Sequence, residues 1–214
     1  MIVQLVPFRL KSLPCPQIGL IAVLLFSLLV SLNCPPARAQ EGLSQGAPRL
    51  ELSSFVPSPI DVSENLRWLV DPTHDLTLDE IASFPDDAFV KDKEIASFGY
   101  SRDVIWYRLD ITVHDKLTTH PLVEINPTYL NFIDVALFTG EAIVPIWQAH
   151  LGDHVPASKR PFAGTTHVTD LPPLDAGEYR MFIRVQSKST NFIRVKFWPP
   201  TDLITSLTFR NVAT

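Results

Sequence analysis

From Val104 to Val113 the chain alternates strictly: Ile105, Tyr107, Leu109, Ile111 and Val113 are apolar, while Trp106, Arg108, Asp110 and Thr112 fill the positions between them. A period of two marks a strand with one buried face, because successive side chains point to opposite sides of a sheet. Residues 179–186 repeat the pattern, with Tyr179, Met181, Ile183 and Val185 set against Arg180, Phe182, Arg184 and Gln186. One face of each strand is predicted to make core and the other to meet solvent or ligand. Further apolar runs predict strands over 122–125, 132–138, 143–148, 165–171 and 192–198, with a first ordered element over 65–70. Turn-forming stretches, Asn126-Pro127, Thr139-Gly140 and Asp175-Ala176-Gly177, fall between them. Thr77-Leu78-Asp79-Glu80 has the form of a capping box and predicts a short helix from Leu78 to about Phe84. Many short strands without long intervening helices predict a mostly β fold, an antiparallel jelly-roll-like β-sandwich with one short N-terminal helix. A parallel α/β fold is excluded.

The first 39 residues follow a different pattern. Arg9 and Lys11 precede an almost wholly apolar run, Ile18 to Leu32, and Ala37-Arg38-Ala39 supplies small residues where a signal peptidase reads. The run is shorter than the roughly 18 to 20 residues needed to cross hydrocarbon, so a cleaved signal peptide (1–39) is predicted, the alternative being an uncleaved inner-membrane anchor. The expected localisation is periplasmic. Both cysteines, Cys15 and Cys34, lie before the cut, which leaves no disulfide, thiolate nucleophile or cysteine-based metal site in the mature chain. Cys34 as a lipidated cysteine is disfavoured by the bulky Asn33 before it. Cleavage removes three basic residues (Arg9, Lys11, Arg38) and no acid, taking the net charge from −5 to −8. That balance argues against nucleic acid as a partner. Residues 40–62, rich in Ser, Gly and Pro at first, are predicted to be a flexible lead, 63–205 the folded domain and 206–214 a tail.

Within that domain, Phe98-Gly99-Tyr100 is followed by Val104-Ile105-Trp106-Tyr107-Arg108-Leu109. Farther on come Phe132-Ile133-Asp134-Val135-Ala136-Leu137-Phe138, then Arg160-Pro161-Phe162, and finally Gly177 leading into Tyr179 to Ser187 with Arg184-Val185-Gln186-Ser187 at its end. In order and spacing these segments resemble the type 2 extracellular domain of bacterial seven-transmembrane receptors with diverse intracellular signalling modules, over roughly residues 64–203. The resemblance implies a periplasmic jelly-roll input domain that takes carbohydrate-like or other small ligands and signals through membrane helices. The chain reaches Thr214 where such a bundle would be expected to begin, so a truncated or split receptor and a free binding domain both fit.

Trp106, Arg108, Arg184 and Gln186 are the candidate ligand-binding residues, because their parity puts them on the non-core face of their strands. Flat aromatic rings stack on sugar rings, and arginine offers a planar fork of donors to hydroxyls or carboxylates. The competing reading has these arginines paired with acids such as Asp110 or Asp134, locking the sandwich with Trp106 packed across them. Phe182, Phe192, Trp198 and Tyr129 either extend an aromatic platform or, the better reading in a sandwich, belong to core. His150 and His154 have the i, i+4 spacing of a metal pair, but Gly152 and Pro156 oppose the helix that would bring them together, so no metal is predicted. His74, His114, His120 and His167 are read as solvated loop or edge residues. No cofactor is predicted. No nucleophile–base motif is visible, so the chain is read as a non-enzymatic sensor with a small-molecule ligand and a membrane receptor or downstream signalling protein as partner. A receptor-docking interaction module and a jelly-roll hydrolase are the alternatives.

Overall fold

The computed structural model describes residues 48–54, 56, 58–91, 97–162 and 166–212, with side chains to residue 206. The predicted signal peptide (1–39), with both cysteines, and the predicted lead as far as residue 47 lie outside these. The strands are β1 (Arg49–Leu52), β2 (Ile60–Asp61), β3 (Arg67–Asp71), β4 (Ser97–Tyr100), β5 (Val104–Val113), β6 (Leu122–Asn126), β7 (Phe132–Thr139), β8 (Trp147–Leu151), β9 (His167–Asp170), β10 (Gly177–Gln186), β11 (Thr190–Phe192) and β12 (Arg194–Trp198). Two helices join them, α1 (Leu78–Ser83) and α2 (Pro200–Val212), the second of which runs across the predicted boundary at 205/206. No helix among the described residues is long and apolar enough to cross a membrane.

The strands form a six-stranded sheet, a four-stranded sheet ordered β2-β12-β6-β9 and a two-stranded ribbon of β11 and β4. In the large sheet β5, β10, β7 and β8 lie side by side, and the free edge of β5 is shared: β3 pairs antiparallel with its first half and β1 parallel with its second. The odd-numbered residues of β5 and β10 do form the core, with Ile105, Tyr107, Leu109, Ile111, Met181, Ile183 and Val185 all buried against Val123, Ile125, Val195 and Phe197 of the small sheet. The fold is thus a mostly β, two-sheet sandwich.

Three expectations are corrected. Residues Arg49–Leu52 and Ile60–Asp61, read as lead, are strands: Leu50 and Leu52 alternate into the core while Arg49 and Glu51 face out, a pattern too short to stand out among Ser and Pro. The strand placed at 143–148 begins only at Trp147; Ile143, Val144 and Ile146 stand 55%, 69% and 49% exposed in the preceding turn, where Pro145 cannot donate to a ladder. His167 is buried rather than solvated. Its neighbour Val168 packs with Leu122 and Leu203, and strand alternation sends His167 to the other face of the small sheet.

Candidate functional site

The even-numbered face of the large sheet, expected to meet solvent or ligand, is largely covered. Thr77 starts α1 as the sequence predicts: its Oγ1 accepts from the Glu80 amide at 3.4 Å and its own amide donates to Glu80 Oε2 at 2.8 Å. The helix then lays Ile81 and Ala82 onto the sheet, and the single turn at Asp86–Ala88 brings in Phe89; together they bury Trp106, Phe138 and Phe182 in a second apolar cluster. Strand parity separates the two faces but says nothing of what will cover them.

Register organises this face into rows across the strands. The row Arg67–Arg108–Phe182–Ala136–Gln148 lies beside the row Leu69–Trp106–Arg184–Asp134–His150, each residue on its own strand. Three arginines come from β5 and β10, and their surroundings differ sharply. Arg108 is 4% exposed: its Nε donates to Asp110 Oδ1 at 2.9 Å, its Nη2 meets Asp86 Oδ1 at 2.6 Å, and its guanidinium lies over the rings of Phe89 and Phe182. Asp110 also takes Arg67, closing a buried network of two arginines about one carboxylate. Arg180 donates to the carbonyls of Gly140 (2.6 Å), Ala82 (2.8 Å) and Ala142 (2.7 Å), which ties the last turn of α1 to the turn between β7 and β8.

Arg184 is held loosely by comparison. Its Nη1 lies 3.4 Å from Asp134 Oδ2, its Nη2 3.4 Å from Gln186 Oε1, and its guanidinium sits over Trp106 at 5.9 Å. Both polar contacts are at the long limit of a hydrogen bond. Asp134 is anchored from the other side by His150 Nδ1 at 2.7 Å. Arg184, Asp134, His150 and Trp106, with Leu76 and Leu78 forming one wall and Gln148 the other, line a groove of about 260 Å³ beside the start of α1.

Of the four predicted residues, Trp106 and Arg184 meet in this groove. Gln186 hydrogen-bonds to Arg184 but faces a second pocket, and Arg108 lines neither, lying beneath Phe89 and Phe182. The expected pairing of arginines with Asp110 and Asp134 is present, as is Trp106 packed against Arg184. Phe182 is core, in the cluster under α1. Trp198 donates from Nε1 to Glu124 at 2.9 Å. His150 and His154 do not converge: His150 pairs with Asp134, while His154 packs against Phe132 at 5.0 Å between centroids. Among the described residues no three His, Cys, Asp or Glu side chains are grouped as a metal site requires. Gln148, Leu76 and Leu78 were not anticipated; only cross-strand register and the path of α1 reveal them.

Fold and face together define a β-sandwich domain with a groove on its larger sheet, bounded by a short helical cover. The sequence matches the model of the 7TMR-DISM extracellular 2 family over residues 63–199, more than half of the chain. The chain belongs to that family of extracellular sensor domains of seven-transmembrane receptors. No curated protein matches it. Among solved structures, that of CsCBM6-3 from Clostridium stercorarium in complex with cellobiose aligns with 11% identity and a TM-score of 0.30, covering 70% of this chain and 95% of the other.

Proposed function

We propose that this domain is the periplasmic input module of a membrane signal-transduction receptor and binds a small, carbohydrate-like ligand in the groove beside α1. Arg184 carries the reading. Arg108 and Arg180 have their donors committed to short contacts in buried surroundings, whereas Arg184 has two long contacts and faces an open volume. A guanidinium in that state turns toward a ligand oxygen at little cost, and Asp134, His150 and Gln148 add acceptors and donors for neighbouring hydroxyls. Trp106 forms the floor and Gln186 holds Arg184 from behind. Arg108 supports the cover from below. No catalytic step is assigned to the chain.

Thermal melting against a sugar and small-acid library tests this. A ligand at 100 times its Kd adds about 2.7 kcal/mol, a shift of several degrees. Arg184→Ala should abolish the shift and leave the unliganded melt nearly in place. A full shift in that variant would remove Arg184, and with it the groove, from the binding site. A second reading, a module that docks on a partner protein, is favoured by the exposed Ile143, Val144 and Ile146. Stoichiometric recovery of a membrane protein by the wild-type domain, lost when the three are changed to Ser, would support it over ligand binding. Turnover of any glycoside or sugar ester would overturn both.

A further inference from the structure

We propose that the ligand carries a carboxylate, as a uronic acid does, and that its charged group sits in a second pocket continuous with the groove. The inference rests on the groove reading above and names the ligand class. The second pocket, of about 200 Å³, has His74, Arg102, Phe132, Gln186 and Lys188 in its lining. Three segments supply walls to both cavities. β10 gives Arg184 to the groove and Gln186 to the pocket, joined by their 3.4 Å contact. β7 gives Asp134 to one and Phe132 to the other, roughly 7 Å apart along the strand, so the cavities are neighbouring subsites.

The third segment is built on one carboxylate. Asp71 is 2% exposed and accepts from the amides of Thr73 (3.2 Å), His74 (2.9 Å) and Leu76 (3.2 Å) and from Thr73 Oγ1 (2.8 Å). Those bonds hold His74 at φ +66° against the pocket and set Leu76 against the groove.

Charge separates the two subsites. In the groove Arg184 is balanced by Asp134. Among the described residues the pocket is lined by Arg102 and Lys188, together with His74, and by no carboxylate, and neither Arg102 nor Lys188 forms an ion pair. This cationic spot belongs to a chain of net charge −5, so the pocket does not merely sample a basic surface. Asp71, beneath the loop that carries His74, has both oxygens occupied by that loop. Phe132 is 43% exposed, and His154 fixes its ring orientation by near-perpendicular packing, leaving an aromatic surface beside the cations for a sugar ring.

Titration calorimetry on the chain expressed from its full coding sequence, with glucuronate and galacturonate against glucose and galactose, decides the matter. The acids should bind at least tenfold tighter than their neutral parents at low ionic strength. The advantage should shrink at about 0.5 M salt, where the Debye length is roughly 4 Å, and disappear in Arg102→Gln/Lys188→Gln while neutral-sugar binding persists. Equal affinity for acid and neutral sugar overturns the carboxylate inference and leaves the groove reading standing. Binding of neither overturns both. An acid preference undiminished in the double variant overturns the assignment to this pocket.

Discussion

Asp110→Asn is the sharpest test of how the helical cover is held to the sheet. Asp110 is 3% exposed and joins Arg67 to Arg108, whose side chains are 6% and 4% exposed. Asparagine keeps the volume but turns one acceptor oxygen into a donor that faces a guanidinium, and the carboxylate charge is lost. The other anion in reach, Asp86, is 65% exposed and so is screened by solvent; Arg67 otherwise holds the Asp86 carbonyl at 3.1 Å. Removing one partner of a buried pair costs about 3–5 kcal/mol, roughly a fifth or more of the 5–15 kcal/mol of an ordinary domain. At roughly 2–4 °C per kcal/mol for a chain of this size, the melt should fall by about 6–20 °C. Urea unfolding followed by fluorescence and circular dichroism gives the free energy directly. Asp86→Asn should cost about 1 kcal/mol or less. A loss below about 1 kcal/mol for Asp110→Asn, at an unchanged urea dependence, would refute the claim that this carboxylate carries the network. Replacing the triad as a unit (Arg67→Met, Arg108→Met, Asp110→Leu) should return stability to within roughly 1 kcal/mol of wild type, because the desolvation cost goes with the charges. An intact ligand response in that variant would assign Arg108 to the support of the cover, and a lost one would return it to the binding site.

Three further outcomes are expected. Thr77→Ala removes the cap of α1 at a cost of about 1 kcal/mol by melting; because Leu76 and Leu78 flank it and wall the groove, ligand affinity measured by calorimetry should fall several-fold with it. Gly152→Ala, at φ +125° with its new Cβ 2.2 Å from the Asn131 carbonyl oxygen, should cost about 3 kcal/mol or more and appear as poor soluble yield or an early melt. Burial, aided by the Arg160 charge, holds His167 below the usual histidine range against the weaker pull of Thr128 and Asp153. The unfolded chain therefore binds the extra proton first, and stability falls as pH drops below about 6.5 until the folded-state value is passed. His167→Gln should flatten that part of a melting-temperature series between about pH 7.5 and 5, and an unchanged slope would exclude His167 as its source.

The long strands were legible because each has one face in the core, so Ile105 to Val113 and Tyr179 to Val185 write their parity into the sequence. Thr77 and Glu80 were legible because a capping box is local chemistry. What escaped depends on partners distant in the chain. β1 is four residues whose meaning comes from pairing with Asp110 to Val113. Ile143 to Ile146 reads as a strand because apolar residues are scarce on surfaces, and only the tertiary structure shows these left outside. Alternation alone sets Trp106, Arg184 and Gln186 on the face opposite the main core. The groove itself needs the β10–β7–β8 register that sets Arg184 beside Asp134 and Asp134 beside His150, together with the start of α1 at Leu78. Arg108 shares the parity of Trp106, yet it lies under the cover and Trp106 at its border. Phe89, nineteen positions away, lies over the Arg108 guanidinium, and of the two only Trp106 lines the groove.

The three carbonyls held by Arg180 give the domain a mechanical property. One belongs to the end of α1 and two to the turn that leads into Ile143, Val144 and Ile146, and the arginine between them is only 6% exposed at its side chain. A wall residue on α1 therefore cannot shift by an ångström as an isolated event. Either a buried, charge-assisted bond of 2.8 Å breaks, or the turn travels with the helix. Groove width and the posture of the exposed aliphatic turn become a single coordinate, geared through one guanidinium.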